Sequence, residues 1–320
     1  MVSLRDILSF GDRAIAHYSK GSMSIRKVGF IGMGNMGAPM ASHLVAAGFD
    51  VRVYDARPEA VGLFVERHGG TGTASLAEVA HDVDAVITML PNDRIVREVI
   101  AGEGGIADAL AQGAILIDMS TSDPVATRAL AAALQPRGIA VVDAPVMGGV
   151  VFAKDATLDI MVGGDAAIVE RCQPLFSAMG RTVMACGGVG TGHALKALAN
   201  YVNACALING IEALTIGARF GLDPKLMAEA LIPLCAGRNH PIEKKILPHV
   251  LTRNYGTGMA LGFIAKDVKI ARDMARTMEA FAPLAEEVSA LWFAAAEKLG
   301  PQVDQTEIVR YWEDASGVKL

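Results

Sequence analysis

The sequence predicts an α/β protein in which a doubly wound, mostly parallel sheet is followed by an all-helical region. Up to about residue 188, short apolar runs alternate with stretches of helical spacing, which is typical of parallel strands covered on both faces by helices. After a glycine-rich stretch at 187–190 the strand pattern stops. At 320 residues the chain is long enough for two domains. We therefore expect an N-terminal extension over 1–24, a first domain over 25–188 and a helical second domain over 189–320.

The first predicted strand begins a nucleotide-binding pattern. Val28–Ile31 precedes the spacing G-x-G-x-x-G, a helix is predicted over 36–47, and a second strand, Val51–Tyr54, ends at Asp55. A strand, a glycine turn, a helix and a strand-terminal acid form the context of the Rossmann dinucleotide fingerprint. The alternative is a βαβ unit whose glycines serve packing alone. The predicted cofactor turn consists of Gly32, Met33, Gly34, Asn35, Met36 and Gly37.

Each part of this pattern has a physical role in cofactor binding. Gly32 permits the tight turn, Gly34 lets the pyrophosphate approach the backbone, and Gly37 lets the helix pack closely on the strand. The helix N-terminus offers N–H groups and a positive dipole end to the phosphates. Asp55 can accept hydrogen bonds from both ribose hydroxyls and repels a 2′-phosphate, so we expect NAD rather than NADP. Arg57 is the one nearby residue that would favour NADP.

The alternation continues beyond this unit. Ligands of doubly wound sheets bind at the carboxyl ends of the strands, where the sequence places Leu90-Pro91, Ser120-Thr121 and a turn at 145–149. Further strands are predicted within 84–91, 113–121, 138–145, 157–164 and 181–187. Helices are predicted over 93–100, 124–134, 166–178, 191–220, 224–235, 263–280, 283–298 and 305–315.

Composition argues against several classes of function. A formal net charge of −5, with no Lys/Arg-rich block, gives no electrostatic footprint for nucleic acid. The most apolar stretch, 194–218, is interrupted by lysine, asparagine and glutamate, so we expect no membrane span. Widely spaced cysteines and histidines predict no metal site and favour reduced, buried thiols in a cytoplasmic protein. Residues 1–24 would indicate an organelle matrix instead if they formed a transit peptide.

One lysine is set into the most apolar predicted helix. Lys196 and Asn200 are four residues apart and share a helix face, along which Asn203 continues the polar stripe. A structural explanation is a snorkelling lysine beside asparagines that cross-link packed helices. A catalytic explanation is a desolvated lysine that takes the hydroxyl proton during hydride transfer and polarises the carbonyl in the reverse reaction. The position directly after a dinucleotide-binding domain favours catalysis.

Several ordered motifs extend from Lys27 to about residue 300. They are VGFIGMGNMGAPMASHL, ITMLP, IDMSTSDP, DAPVMGG, TLDIMVGG, GGVGTGHALKALAN and IAKD. Together they resemble the β-hydroxyacid dehydrogenases, the family of 3-hydroxyisobutyrate dehydrogenase. The resemblance implies hydride transfer between NAD and a small 3-hydroxy acid or its semialdehyde, with Lys196 as the catalytic acid/base and Asn200 as its polar partner. It also implies a homodimer or homotetramer built by the helical domain.

The resemblance implies roles for further residues. Leu90, Pro91 and Thr121 would line the nicotinamide side of the cofactor, and Lys266 would reach it from the helical domain. The substrate would meet Ser120 and the turn formed by Met147, Gly148 and Gly149, in addition to Lys196 and Asn200.

The chain departs from the family's pattern around the substrate turn. Met147 stands where the family has a serine, and a thioether cannot donate a hydrogen bond to a carboxylate. Phe152 and Ala156 replace glycines, and Ala199 replaces an asparagine beside the catalytic pair. Carboxylate recognition would then fall to backbone N–H groups of Gly148 and Gly149, or to Arg238, whose planar fork suits a carboxylate.

These departures leave the substrate open. A larger or more apolar 3-hydroxy acid would suit Met147 and Phe152. Reduction of another carbonyl, an imine or a sulfonated aldehyde on the same scaffold is a second hypothesis. A non-catalytic cofactor-binding protein is a third, against which the retained pair of Lys196 and Asn200 argues.

Overall fold

The structure of the chain is a computed structural model that describes residues 25–235, 241–277 and 283–320. The described chain divides into two compact units, the first ending at His193 and the second beginning at Ala194. The predicted extension over 1–24 and the predicted ligand Arg238 lie outside the described residues. The two units are an α/β sheet domain and a helical domain, which confirms the predicted fold class.

The described part of the first unit contains one nine-stranded sheet. Its order is β3-β2-β1-β4-β5-β6-β8-β7, with β9 paired to β8. The first six strands in this order are parallel to one another, whereas β8 runs antiparallel to β6 and β7 and parallel to β9. The strand order reverses between β1 and β4, which is where sheets of this type bind ligands. The strands are β1 (Lys27–Ile31), β2 (Asp50–Tyr54), β3 (Thr71–Gly72), β4 (Ala85–Thr88), β5 (Ile115–Asp118), β6 (Ala140–Asp143), β7 (Val146–Met147), β8 (Leu158–Gly163) and β9 (Gly180–Gly187).

Helices cover both faces of this sheet. Strand side chains alternate between two apolar layers: Ile115 and Ile117 contribute to one, and Leu116 to the other. Met40 of α1 packs in the first layer and Ile100 of α4 in the second, so the central strands are buried throughout. The helices are α1 (Gly37–Ala46), α2 (Pro58–His68), α3 (Leu76–Ala80), α4 (Asp93–Ala101), α5 (Pro124–Leu134), α6 (Gly149–Lys154) and α7 (Ala166–Met179).

The second unit is built from helices around an apolar core centred on the fully buried Trp292. The long helix α8 (Thr191–Phe220) ends before Gly221, whose φ of +102° suits glycine. The Asp223 carboxylate caps the next helix by accepting the Leu226 N–H at 2.7 Å. A glycine after a helix and an aspartate just before the next one are common helix stop and start signals. The elements are α8 (Thr191–Phe220, beginning in the first unit), α9 (Pro224–Cys235), a π-helix (Ile242–Val250), α10 (Leu261–Thr277), α11 (Pro283–Leu299), a 3₁₀ turn (Gln305–Ile308) and α12 (Val309–Ser316).

Several short elements differ from the sequence prediction. The predicted turn at 145–149 contains a two-residue strand, β7, and leads into a six-residue helix, α6. Neither has a sequence pattern of its own, because so few residues show no periodicity. The helices α2 and α3 were not predicted, and the helix predicted over 305–315 begins as a 3₁₀ turn. Of the cysteines, Cys172 is buried as expected, whereas Cys186 and Cys205 are half-buried thiols.

Candidate active site

The glycine turn after β1 has the shape of a phosphate cradle. Gly32 has a φ of +105°, and a Cβ there would overlap the Met89 carbonyl oxygen. A Cβ on Gly37 would overlap the Gly32 carbonyl oxygen, so only glycine lets α1 approach the strand this closely. At Gly34, by contrast, no described atom lies within 4 Å of the position of a Cβ. The turn therefore leaves open space where a pyrophosphate needs access to the backbone.

Asp55 lies beside this turn at the end of β2. Its carboxylate accepts hydrogen bonds from the Met33 N–H at 2.8 Å and from the Arg57 N–H at 2.9 Å. The Arg57 side chain also donates to it through Nε at 3.1 Å. Burial alone would raise the pKa of Asp55, but the hydrogen bonds from Arg57 and Met33 outweigh burial and hold that pKa below its usual value. Asp55 is therefore anionic at neutral pH.

The ends of β4 and β5 are joined by a buried hydrogen-bond network. The Ser120 hydroxyl accepts the Leu90 N–H at 2.9 Å and is fully buried. The Asp118 carboxylate accepts from the Thr88 hydroxyl at 2.9 Å, the Ser120 N–H at 3.0 Å and the Ser122 hydroxyl at 2.7 Å. Two predicted ligands, Leu90 and Ser120, are thus brought together at one edge of the sheet. Of the neighbouring ligands, Thr121 is half-buried and Pro91 exposed.

A second buried network fixes the start of α8. The Asp143 carboxylate, at the end of β6, accepts the Gly190 N–H at 2.6 Å and the His193 N–H at 2.8 Å. An acidic group at a helix N-terminus satisfies free N–H groups and interacts favourably with the helix dipole. The His193 ring is fully buried and hydrogen-bonds the Thr127 hydroxyl at 2.8 Å and the Ser120 carbonyl at 3.1 Å. Sequence reasoning missed both Asp143 and His193.

Lys196, the predicted acid/base, follows one turn later on α8. Its side chain is 8% exposed. Burial lowers the pKa of Lys196 to about 8, the Asp267 carboxylate opposes this shift, and the Lys266 ammonium adds to it. A lysine with such a pKa exchanges a proton readily near neutral pH, as acid/base catalysis requires.

Asp267 of α10 links the other polar residues of this cluster. Its Oδ2 accepts the Asn200 side-chain N–H at 2.6 Å, and its Oδ1 lies 3.1 Å from Nζ of Lys266. Asp267 and Asn200 are both buried, so the hydrogen bond between them lies in a medium of low polarity. Asn200 and Lys266 therefore contact the same carboxylate, and this carboxylate also raises the pKa of Lys196. Asp267 was missed as a site residue, although it closes the motif IAKD.

The substrate turn predicted at Met147–Gly149 follows β7. Gly148 and Gly149 have φ angles of +120° and +75°, which favour glycine at both positions. Met147 is half-buried, whereas Val151 and Phe152 of α6 are 66% and 38% exposed. The turn is therefore followed by a helix with exposed apolar side chains.

Two further findings concern metal ions and membranes. Within 25–235, 241–277 and 283–320, no group of three or more His, Cys, Asp and Glu side chains is arranged to hold a metal ion. In the same ranges, no helix combines the length and apolar character that a bilayer crossing requires.

Two family models together match most of the chain. Residues 27–188 match the NAD binding domain of 6-phosphogluconate dehydrogenase, and residues 190–312 match the NAD-binding model of NADP-dependent 3-hydroxyisobutyrate dehydrogenase. The mitochondrial 3-hydroxyisobutyrate dehydrogenase of Bos taurus is 38% identical over 263 residues, which are 80% of this chain and 78% of that protein. The chain belongs to the β-hydroxyacid dehydrogenase family.

Other β-hydroxyacid dehydrogenase relatives extend the comparison. The 3-sulfolactaldehyde reductase of Escherichia coli (strain K12) is 35% identical over 257 residues, 80% of this chain and 86% of that protein. A solved structure of 3-hydroxyisobutyrate dehydrogenase from Mycobacterium tuberculosis with L-serine is 29% identical, with a TM-score of 0.82 over 90% of this chain and 99% of that one. This β-hydroxyacid dehydrogenase is thus an NAD-binding oxidoreductase that acts on CH–OH groups.

Proposed function

We propose that the protein oxidises a small 3-hydroxy acid to its semialdehyde, or reduces the semialdehyde, with Lys196 as the acid/base. The observation that carries this proposal is the buried Lys196, whose pKa of about 8 lies well below that of an ordinary lysine. Lys196 also lies one turn before Asn200, whose amide donates to Asp267, the carboxylate that acts on the pKa of Lys196. Bound NAD supplies the hydride acceptor, and the residues of the chain handle the proton.

In the direction of oxidation, the neutral amine of Lys196 takes the hydroxyl proton of the substrate as the carbinol hydride leaves. In reduction, the ammonium polarises the carbonyl and returns the proton to its oxygen. Asn200 holds the reacting oxygen or the lysine in line, and its own side-chain amide is fixed by Asp267 at 2.6 Å. No step requires a protein-bound metal.

Asp55 supports NAD as the preferred cofactor. An anionic carboxylate at the end of β2 accepts hydrogen bonds from the ribose hydroxyls and repels a 2′-phosphate. Arg57, which would favour NADP, donates hydrogen bonds to Asp55 from its own backbone N–H and Nε.

Replacement of Asp55 by serine therefore weakens the preference for NAD. We expect kcat/KM for NAD to fall about tenfold, because a charge-assisted hydrogen bond of about 1.4 kcal/mol or more is lost. The value for NADP should rise, since the carboxylate no longer repels the phosphate and Arg57 is released. Initial rates at 340 nm with both cofactors measure this ratio. An unchanged ratio would show that Asp55 does not face the ribose.

The surface near Met147 supports a substrate with an apolar or bulky substituent. Neither Met147 nor the exposed Val151 and Phe152 can donate a side-chain hydrogen bond to a carboxylate. The backbone N–H groups of Gly148 and Gly149 are available to bind the substrate carboxylate. Binding of that carboxylate by Arg238 stays a prediction. A sulfonated aldehyde is the second candidate, favoured by the 35% identical 3-sulfolactaldehyde reductase and by the missing serine hydroxyl at 147.

We also propose that the protein is a cytoplasmic homodimer or homotetramer. On α8, Leu195, Leu198 and Val202 recur at helical spacing and are 39%, 43% and 62% exposed. A continuous apolar stripe of this kind is stabilised by contact with a second copy of the chain.

Replacement of Leu198 by glutamate tests this assembly, because it puts a charge in the middle of the stripe. We expect light scattering to give a smaller mass than for the unaltered protein, with a single chain as the limit. Lys225→Glu, at an exposed position of α9, is the matched control. Equal masses for all three proteins would argue against this interface.

The proposed function is tested by NADH absorbance at 340 nm over a panel of substrates. The panel contains glycerate, 3-hydroxyisobutyrate, longer and aromatic analogues, the corresponding semialdehydes and sulfonates, each with NAD and NADP. Turnover of small carboxylates with NAD supports the first candidate, and turnover of sulfonates alone supports the second. Tight NAD binding without any turnover would contradict both.

A further inference from the structure

We propose that His43 is a positioning residue for substrate recognition, because it holds helix α6, which follows the Met147–Gly149 turn. This inference rests on the proposed function. It concerns a contact within the first unit, between the last turn of α1 and the carboxyl end of α6.

The helix α6 is too short to be stable by itself. It has six residues, Gly149–Lys154, and a helix of this length in isolation does not repay the free energy of nucleation. Its first residue, Gly149, has a poor helix propensity. Tertiary contacts must therefore hold it, and the only fully buried side chain it contributes is that of Ala153.

The four terminal carbonyl groups of α6 all have partners, and His43 supplies two of them. The Asp155 N–H donates to the Val151 carbonyl at 3.1 Å, and the Thr157 N–H donates to the Phe152 carbonyl at 2.9 Å. Nε2 of His43 lies 3.1 Å from the Ala153 carbonyl oxygen and 3.0 Å from that of Lys154. Carbonyl oxygens only accept, so Nε2 carries the hydrogen and donates to both. His43 thus caps a helix that belongs to another part of the chain.

The backbone beyond α6 ends the helix in a strained conformation. Ala156 has a φ of +55°, in the left-handed region that glycine normally occupies after a helix. A residue with a Cβ is strained there, so local sequence opposes this helix end. The cap from His43 offsets that strain from outside.

The other end of α6 connects the helix to the substrate turn. Gly148 has a φ of +120°, and a Cβ there would collide with the Phe152 side chain, which shows how closely the turn and the helix fit. A shift of α6 therefore moves Phe152 and the Met147 turn together. His43 belongs to α1, the helix that begins at Gly37 of the cofactor turn. Helix α1 thus begins with Gly37 of the cofactor turn and has His43, which contacts α6, in its last turn.

The test compares His43→Ala with His43→Gln, whose side-chain amide keeps a donor, and with His81→Ala at an exposed position of the same unit. Hydrogen–deuterium exchange of the segment 149–157, without substrate, reports the hold on α6. We expect exchange in His43→Ala to be about tenfold faster, with His43→Gln and His81→Ala close to the unaltered protein.

The kinetic test uses 3-hydroxyisobutyrate, or the panel compound oxidised fastest. In His43→Ala we expect KM to rise about tenfold while kcat and NAD affinity change less than about twofold.

Two results would overturn the inference. Unchanged exchange over 149–157 in His43→Ala would show that His43 does not hold α6. Faster exchange without a rise in KM would show that the contact serves only the stability of α6. Faster exchange with an equal loss of NAD affinity would show that the substitution disturbs α1. If the unaltered protein oxidises no compound of the panel, the proposed function fails by that result, and the exchange measurement still decides whether His43 holds α6.

Discussion

Replacement of Lys196 by methionine is expected to lower kcat about 1,000-fold, the size of effect typical for loss of a general acid/base. Methionine keeps an unbranched, apolar chain in a site where the lysine is only 8% exposed, so the fold should be preserved. NAD affinity should change less than about twofold, because the cofactor turn lies on other elements, after β1 and β2.

The matched control for this variant is Lys225→Met, an exposed lysine of the same unit. Turnover is followed at 340 nm and NAD binding by protein fluorescence. Near-normal turnover in Lys196→Met would contradict the assignment. Loss of NAD binding or of the folded state would favour a structural role for the lysine.

Replacement of Asp267 by asparagine is expected to reduce kcat/KM about 100-fold and to shift its pH dependence. The Asp267 carboxylate raises the pKa of Lys196 against the effect of burial, so its removal lowers that pKa below about 8. The neutral amine then forms at lower pH, and the midpoint of the rate–pH curve for oxidation moves downward. The rate falls because Asn200 and Lys266 lose the carboxylate that fixes them.

Lys266→Met provides a test of opposite sign. The Lys266 ammonium lowers the pKa of Lys196, so its removal raises that pKa and moves the midpoint for oxidation upward. Both profiles are measured as kcat/KM against pH with the same substrate and NAD. Midpoints that stay together, or that move in the same direction in both variants, would show that the observed ionisation is not that of Lys196.

The features that the sequence predicts well are those encoded within a few residues of one another. Helix α8 has the predicted bounds, Thr191–Phe220, because its apolar run is long and ends at a glycine. The fingerprint from Gly32 to Asp55 was predicted because every part follows a short, regular spacing. The structure adds that a Cβ on Gly37 would overlap the Gly32 carbonyl oxygen, an atom that the spacing alone does not identify.

The features that the sequence does not predict depend on residues far apart in the chain. Asp143 lies 47 residues before Gly190, whose N–H it accepts at the start of α8. Asn200 and Asp267 are 67 residues apart, and each belongs to a helix with its own regular pattern. Such pairs follow from how the elements pack, for which local periodicity gives no signal. Helix α6 was missed for the same reason, since its contacts with His43 are made from more than 100 positions away.

The central claim, that Lys196 carries the proton, is tested most directly by the pH dependence of the unaltered protein in both directions. Oxidation with NAD needs the neutral amine, so kcat/KM should rise with pH and level off above about 8. Reduction with NADH needs the ammonium, so kcat/KM should be level below that pH and fall above it. Opposite limbs sharing a midpoint near pH 8 are the predicted result. Profiles without an ionisation between about pH 7 and pH 9, or with limbs of the same sign, would contradict the assignment of Lys196 as the acid/base.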